Sequence, residues 1–230
     1  MSNFDPVRRD SADHGALIRE LTGDLAPVRP LAPPLWRALA WISAVAIFAI
    51  VGAFTTDLNA IEHRLIAEPD MWLAVIGSTL TAALAAFAAF QLCLPDRSGY
   101  WALLPLPPAL LWIAASGAGC LRALRIADTR APTVSDERDC LLIILALSVP
   151  LSLLLLAMLR RGHTLVPGLT TLTAGLAAAS AAATLLMFFH PFDATLSDLI
   201  AHGAGVVIVV AAVRYFGSRA FARKNNFAGA

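Results

Sequence analysis

The chain has 230 residues, 58% of them hydrophobic and only 14% charged, with a formal net charge of +1. Soluble domains carry roughly 25% charged residues, and the apolar residues here fall in long uncharged blocks, so an ordinary soluble globular protein is excluded. Sixteen of the 17 basic residues are arginine and no basic run occurs, which also argues against direct nucleic-acid binding.

The first 35 residues are largely polar, so the amino terminus is expected to be no cleavable signal peptide. Within this leader, Leu17, Leu21 and Leu25 recur every four residues with Ile18 and Val28 beside them, while Arg19, Glu20 and Asp24 supply polar positions. The spacing predicts an amphipathic helix of about three turns, stopped by Pro27 and Pro30. Such a helix is too short to be stable alone in water, so its apolar stripe needs a cover. Surface-binding membrane helices carry several Lys or Arg, whereas Arg19 is outweighed by Glu20 and Asp24. A partner's groove is therefore the expected cover. Arg29, Pro30, Pro33 and Pro34 then make a stiff link to the remainder of the chain.

Uncharged blocks come next, at Ala38–Thr56, Met71–Pro95, Ser98–Leu121, Cys140–Leu159, Gly162–Phe192 and Leu199–Val213. A span needs roughly 20 apolar residues to cross about 30 Å of hydrocarbon, so the fold class is all-α: a polytopic membrane protein with six transmembrane helices and a short cytoplasmic N-terminal segment. The expected spans are 36–56, 71–93, 99–119, 140–159, 167–189 and 197–216 within a membrane domain 36–218, with leader 1–35 before it and tail 219–230 after it. The sixth block covers only about 22 Å at 1.5 Å per residue and must recruit 196–198 or Tyr215 and Phe216. Alanine-rich spans two and five are expected inside the bundle, because small residues let helices approach closely. Pro105, Pro107 and Pro108 in span three and Pro150 in span four are expected to kink their helices. Trp36, Trp72, Tyr100, Trp101 and Tyr215 lie near block ends as interfacial anchors.

With both termini inside, twelve Arg and Lys residues fall on the cytoplasmic side and five on the other, as retention of positive loops in the cytoplasm requires. The expected location is a bacterial inner membrane. The third-to-fourth loop opposes this orientation, with Arg122, Arg125, Arg130 and Arg138 outside.

Intramembrane ionisable groups mark transporters and proton relays, and the centres of spans one to five have none, which counts against an ion-coupled carrier. A small transporter or channel remains the competing class, resting on the prolines. Asp198 and His202 stand one helical turn apart and can pair. Ser78 and His202 lack the motif of a nucleophile and its base, so no enzyme is expected and no cofactor is called for. Three cysteines, Cys93, Cys120 and Cys140, are too few and too dispersed for a disulfide scaffold or a thiolate zinc site. Cys120 ends span three and Cys140 begins span four, both at the outer surface. They admit a disulfide, a reactive or metal-binding thiol, or for Cys120 simple burial.

The stretch LIRELTGDLAPVRPLAPPLWRA (17–38), the six spans, the Arg160-Arg161-Gly162 turn after a proline-bearing fourth span and the cysteine opening that span resemble the NrsF family of membrane anti-sigma factors. The most specific parts are Leu21 to Pro30 and the Arg-Arg-Gly turn. The resemblance implies that the leader, through Leu17, Ile18, Leu21, Asp24, Leu25, Val28 and Arg29, holds an extracytoplasmic-function (ECF) sigma factor of the sigma-F type beside the membrane lipid. Metal or oxidative stress outside then releases it. It also implies two periplasmic sensing cysteines, of which Cys140 matches the first. At the second, in the loop after span five, this chain has Phe188, Phe189, His190 and Pro191. Cys120 as the partner of Cys140, or a mixed thiol and imidazole metal site with His190, are the alternatives that fit this departure.

Overall fold

The computed structural model describes residues 6–23, 30–54, 69–125, 134–162, 164–189 and 196–227, without the side chains of 6–13, 69, 123–125, 134–137, 139, 140, 189, 196–198 and 222–227. These residues form helices α1 (Pro6–Gly23), α2 (Pro34–Ala53), α3 (Pro69–Leu92), α4 (Leu106–Arg125), α5 (Val134–Leu159), α6 (Pro167–Phe189) and α7 (Leu196–Phe227), with a short 3₁₀ helix (Gly99–Leu103) before α4. No strand occurs among the described residues. The chain divides into two compact units, Met1–Leu31 and Ala32–Ala230.

Six helices of the second unit are long and apolar enough to cross a membrane. Prolines stand at the start of four of them. Pro34, Pro69 and Pro167 open α2, α3 and α6, and Pro107 and Pro108 fall in the first turn of α4. There the missing N–H would have had no intrahelical partner anyway, and the fixed φ already suits a helix. The expected kinks in span three are thus replaced by a joint, in which the 3₁₀ helix hands over to α4 and Ala109 N–H bonds Pro105 O at 3.1 Å. Pro150 does lie inside its helix. The last helix, 32 residues long, recruits residues on both sides of its short uncharged block, and so exceeds the roughly 30 Å a crossing demands.

Helices α3 and α6 make the most extensive pairing, with α4 packed on α3, α7 on α6, and α5 against α6 and α7. Burial follows the alanines. In the membrane-length windows of α3 and α6, 61% and 72% of residues are buried, against 17–28% for the other four helices. Ala85, Ala86, Ala88 and Ala89 of α3 and Ala177, Ala178, Ala179 and Ala182 of α6 are fully inaccessible. Two glycines set the closest approaches to backbone atoms: a Cβ built on Gly77 would stand 2.7 Å from the backbone nitrogen of Trp112, and one on Gly175 2.9 Å from Cα of Val210. Lipid tails give no hydrophobic drive between helices, so such intimate dispersion contact is what holds them together.

Several buried hydroxyls inside this packing are satisfied locally. Thr170, Thr171 and Thr173 of α6 donate to the carbonyls of Val166, Pro167 and Leu169 at 2.8–3.1 Å, one turn back along the chain, which removes the cost of burying a free hydroxyl. Thr184 donates across to the Ser78 hydroxyl at 2.8 Å, joining α6 to α3 mid-bundle. Ser78, once conceivable as a nucleophile, is a buried packing residue.

The end of the bundle where α2 starts, here termed proximal, is knotted by Arg37. Its side chain is 7% exposed, donates to the Met158 carbonyl at the end of α5, and lies over the Phe90 ring at 4.6 Å. One turn on, Trp41 Nε1 donates to Leu151 O at 3.2 Å. Thr164 bonds the Leu92 carbonyl at 2.9 Å and the Thr170 hydroxyl at 2.8 Å, fastening the end of α3 to the start of α6. Arg37 is thus a structural clamp. Replacing it, Arg37→Ala, is expected to cost about 1.5–3 kcal/mol, the range for a hydrogen bond to a charged group, read as a lower thermal unfolding midpoint in detergent. Arg37→Lys restores only part, because an ammonium lacks the planar fork that both bonds and stacks.

Candidate functional site

The leader helix is the first candidate. Its 18 residues make about five turns, longer than the three expected, because it begins at Pro6, where the absent N–H again costs nothing. Leu17, Ile18 and Leu21 are 52%, 59% and 65% exposed. Thr22 folds its hydroxyl back onto the Ile18 carbonyl at 2.7 Å. Leu17 and Leu21 are one turn apart and Ile18 is adjacent, so the three share one face. An exposed apolar stripe leaves burial free energy unused, roughly 1.5–3 kcal/mol for each large side chain that a partner would cover. Asp24, Leu25, Val28 and Arg29 lie outside the described residues.

The second candidate is at the distal end, where α3, α4, α6 and α7 surround a cleft of about 560 Å³. Arg122, near the end of α4, forms an ion pair with Asp70, at the start of α3, at 3.0 Å, the side chains being 33% and 21% exposed. His202 of α7 and Ser116 of α4 line the same cleft, whose remaining wall is mostly apolar. Sequence reading missed this pair. Each residue sits at the edge of its own uncharged block, far from the other in the chain, so no local spacing announces it.

The cysteines divide. Cys120 is 4% exposed and is a free thiol buried near the end of α4, while Cys93 is buried at the proximal end with its thiol 3.7 Å from the Leu159 carbonyl. Cys140 lies in the first third of α5, which begins six residues earlier, at Val134; its side chain and all of His190 lie outside the described residues. The side chain of Asp198, expected to face His202, lies outside them too.

Comparison with known protein families finds a match over residues 21–222 to a family described as NrsF, negative regulator of sigma F. The matched region begins at Leu21, which leaves Leu17 and Ile18 outside it, and takes in the leader from there on as well as all six membrane-length helices. No curated protein and no solved structure matches the chain.

Proposed function

The chain belongs to the NrsF family of negative regulators of sigma F, and from that premise we propose that it sequesters an ECF sigma factor at the bacterial inner membrane and releases it under envelope stress. The observation that carries this reading is the exposed face of Leu17, Ile18 and Leu21 on a helix belonging to a compact unit separate from the membrane-length helices. In the sequestered state this face, extended by Leu25 and Val28 and flanked by Asp24 and Arg29, docks in a groove of the sigma factor and blocks its access to core RNA polymerase. Three or four covered side chains at roughly 1.5–3 kcal/mol each, less the cost of ordering a short helix, give an affinity that a signal can reverse. Both termini are cytoplasmic in this reading, following the arginine distribution.

Deleting residues 1–31 while keeping the membrane unit tests the assignment. A sigma-dependent reporter is expected to become constitutive although the truncated protein is still present in the membrane fraction. Continued repression by the truncated protein would transfer the sigma-binding role to the loops of the bundle.

Sensing falls in this reading to Cys140, Cys120 and His190. Cys140→Ser, Cys120→Ser and His190→Ala are each expected to abolish reporter induction by metal or oxidant while repression persists. Cys120 is buried, so its reaction requires the end of α4 to yield, and Cys140→Ser is expected to give the cleaner loss. Unchanged induction in all three would remove this site from the account.

A further inference from the structure

The distal cleft has a shape that the regulatory reading does not use. Its lining on α4 runs from Ala109 to Arg122, on the order of 20 Å at 1.5 Å per residue, so it is a long slot rather than a round pocket. Its volume of about 560 Å³ lies within the roughly 300–1,000 Å³ of small-molecule sites. Ile113, Leu176, Leu186 and Val206 make its walls apolar. Gly117 and Gly203 line it, and a Cβ built on either would meet no atom within 4 Å, so the space between α4 and α7 is open where neighbouring helix pairs are in contact. A dry apolar slot forfeits dispersion contacts along its lining, and α4 and α7 touch only sparingly, which leaves the slot open to the bilayer.

The mouth is chemically different. Asp70 and Arg122 stand at the ends of their membrane-length segments, Asp70–Leu92 and Gly99–Arg122, which is headgroup depth. Their 3.0 Å pair is only partly buried. A net-neutral pair of opposite charges suits a zwitterion: phosphate toward the guanidinium and amine toward the carboxylate, each adding to the pair without breaking it. A fatty acid brings a carboxylate and nothing for Asp70.

We propose that this slot binds one acyl chain of a zwitterionic, phosphoethanolamine-type phospholipid, with the headgroup seated on Asp70 and Arg122. The proposal is independent of the sigma-factor reading.

The test reconstitutes the full chain in vesicles of phosphatidylglycerol containing a small fraction of phosphatidylethanolamine with a photoreactive acyl chain, and maps the labelled residues by mass spectrometry. Labelling is expected to concentrate on the slot residues of α4 and α7 and to fall more than tenfold in Gly203→Phe, which places a ring in the open space. Gly117→Leu fills the slot from the other helix and is expected to do the same, so the result does not depend on one variant folding; unfolding midpoints in detergent check both. Arg122→Gln is expected to lower labelling severalfold. Equal labelling of the exposed α2 face at Ile47, Ile50 and Val51 would overturn the site. Displacement of the probe by oleate as readily as by unlabelled phosphatidylethanolamine would overturn the headgroup assignment.

Discussion

Leu21→Asp is expected to weaken sigma-factor binding by about a hundredfold or more and to leave the sigma regulon constitutively active. The aspartate removes roughly 1.5–3 kcal/mol of apolar burial and presents a carboxylate to an apolar groove, where an unpaired charge is far costlier still. Each 1.4 kcal/mol is tenfold in affinity, so the burial loss alone gives about ten- to a hundredfold and the charge extends it. Leu21 is already 65% exposed in the free chain, so the substitution disturbs little intramolecular packing. Membrane level and thermal stability of the variant should match the parent while binding and repression are lost. Isothermal titration of the full chain in nanodiscs with the purified sigma factor measures the first effect, and a promoter fusion the second.

The other large effect is structural. Gly175→Leu is expected to prevent assembly of the bundle, read as loss of the protein from the membrane fraction and of a cooperative unfolding transition in detergent. Even the Cβ of the new side chain would stand 2.9 Å from Cα and 3.3 Å from the carbonyl oxygen of Val210. Backbone atoms cannot swing aside as a side-chain tip can, so α6 and α7 must separate along a pairing buried on both sides. Overpacking a core by ordinary side-chain clashes costs typically 1–3 kcal/mol, and a clash with backbone belongs at or above the top of that range. Gly203→Ala is the matched control. With nothing within 4 Å of its added methyl, it is expected to be neutral or slightly stabilising, since alanine is a better helix former than glycine by about 0.8–1.0 kcal/mol.

Hydropathy blocks made the membrane-crossing architecture legible, because a bilayer demands continuous apolar length and the chain supplies it six times over. Alanine content likewise pointed to α3 and α6 as the interior helices. The ends of helices were less legible. Hydropathy marks only the part of a helix that sits in lipid, and α5 and α7 run on through charged residues such as Arg138 and Arg214 that lie outside the uncharged blocks. Prolines misled for a physical reason: Pro107 and Pro108 break a helix in its interior and begin one at its first turn, and only the position of the preceding 3₁₀ helix distinguishes the two.

The leader face was legible because its information is local, three apolar residues within two turns. The Arg37 clamp and the Asp70–Arg122 pair were not. Arg37 looks like one more positive residue flanking a span, and what draws it inside is the Met158 carbonyl and the Phe90 ring, which come from two other helices. Asp70 and Arg122 meet only because α3 and α4 are antiparallel neighbours.

The central claim is that the leader's apolar face is the sigma-factor contact, and photo-crosslinking in living cells tests it most directly. A photoreactive amino acid is placed singly at Leu17, Leu21, Arg19 and Glu20 of the full-length protein, and adducts are identified by mass spectrometry. The account predicts sigma-factor adducts from Leu17 and Leu21 that disappear on induction, and far weaker ones from Arg19 and Glu20. Adducts equally strong from all four positions, or none from Leu17 and Leu21 while the sigma factor is still repressed, would contradict it.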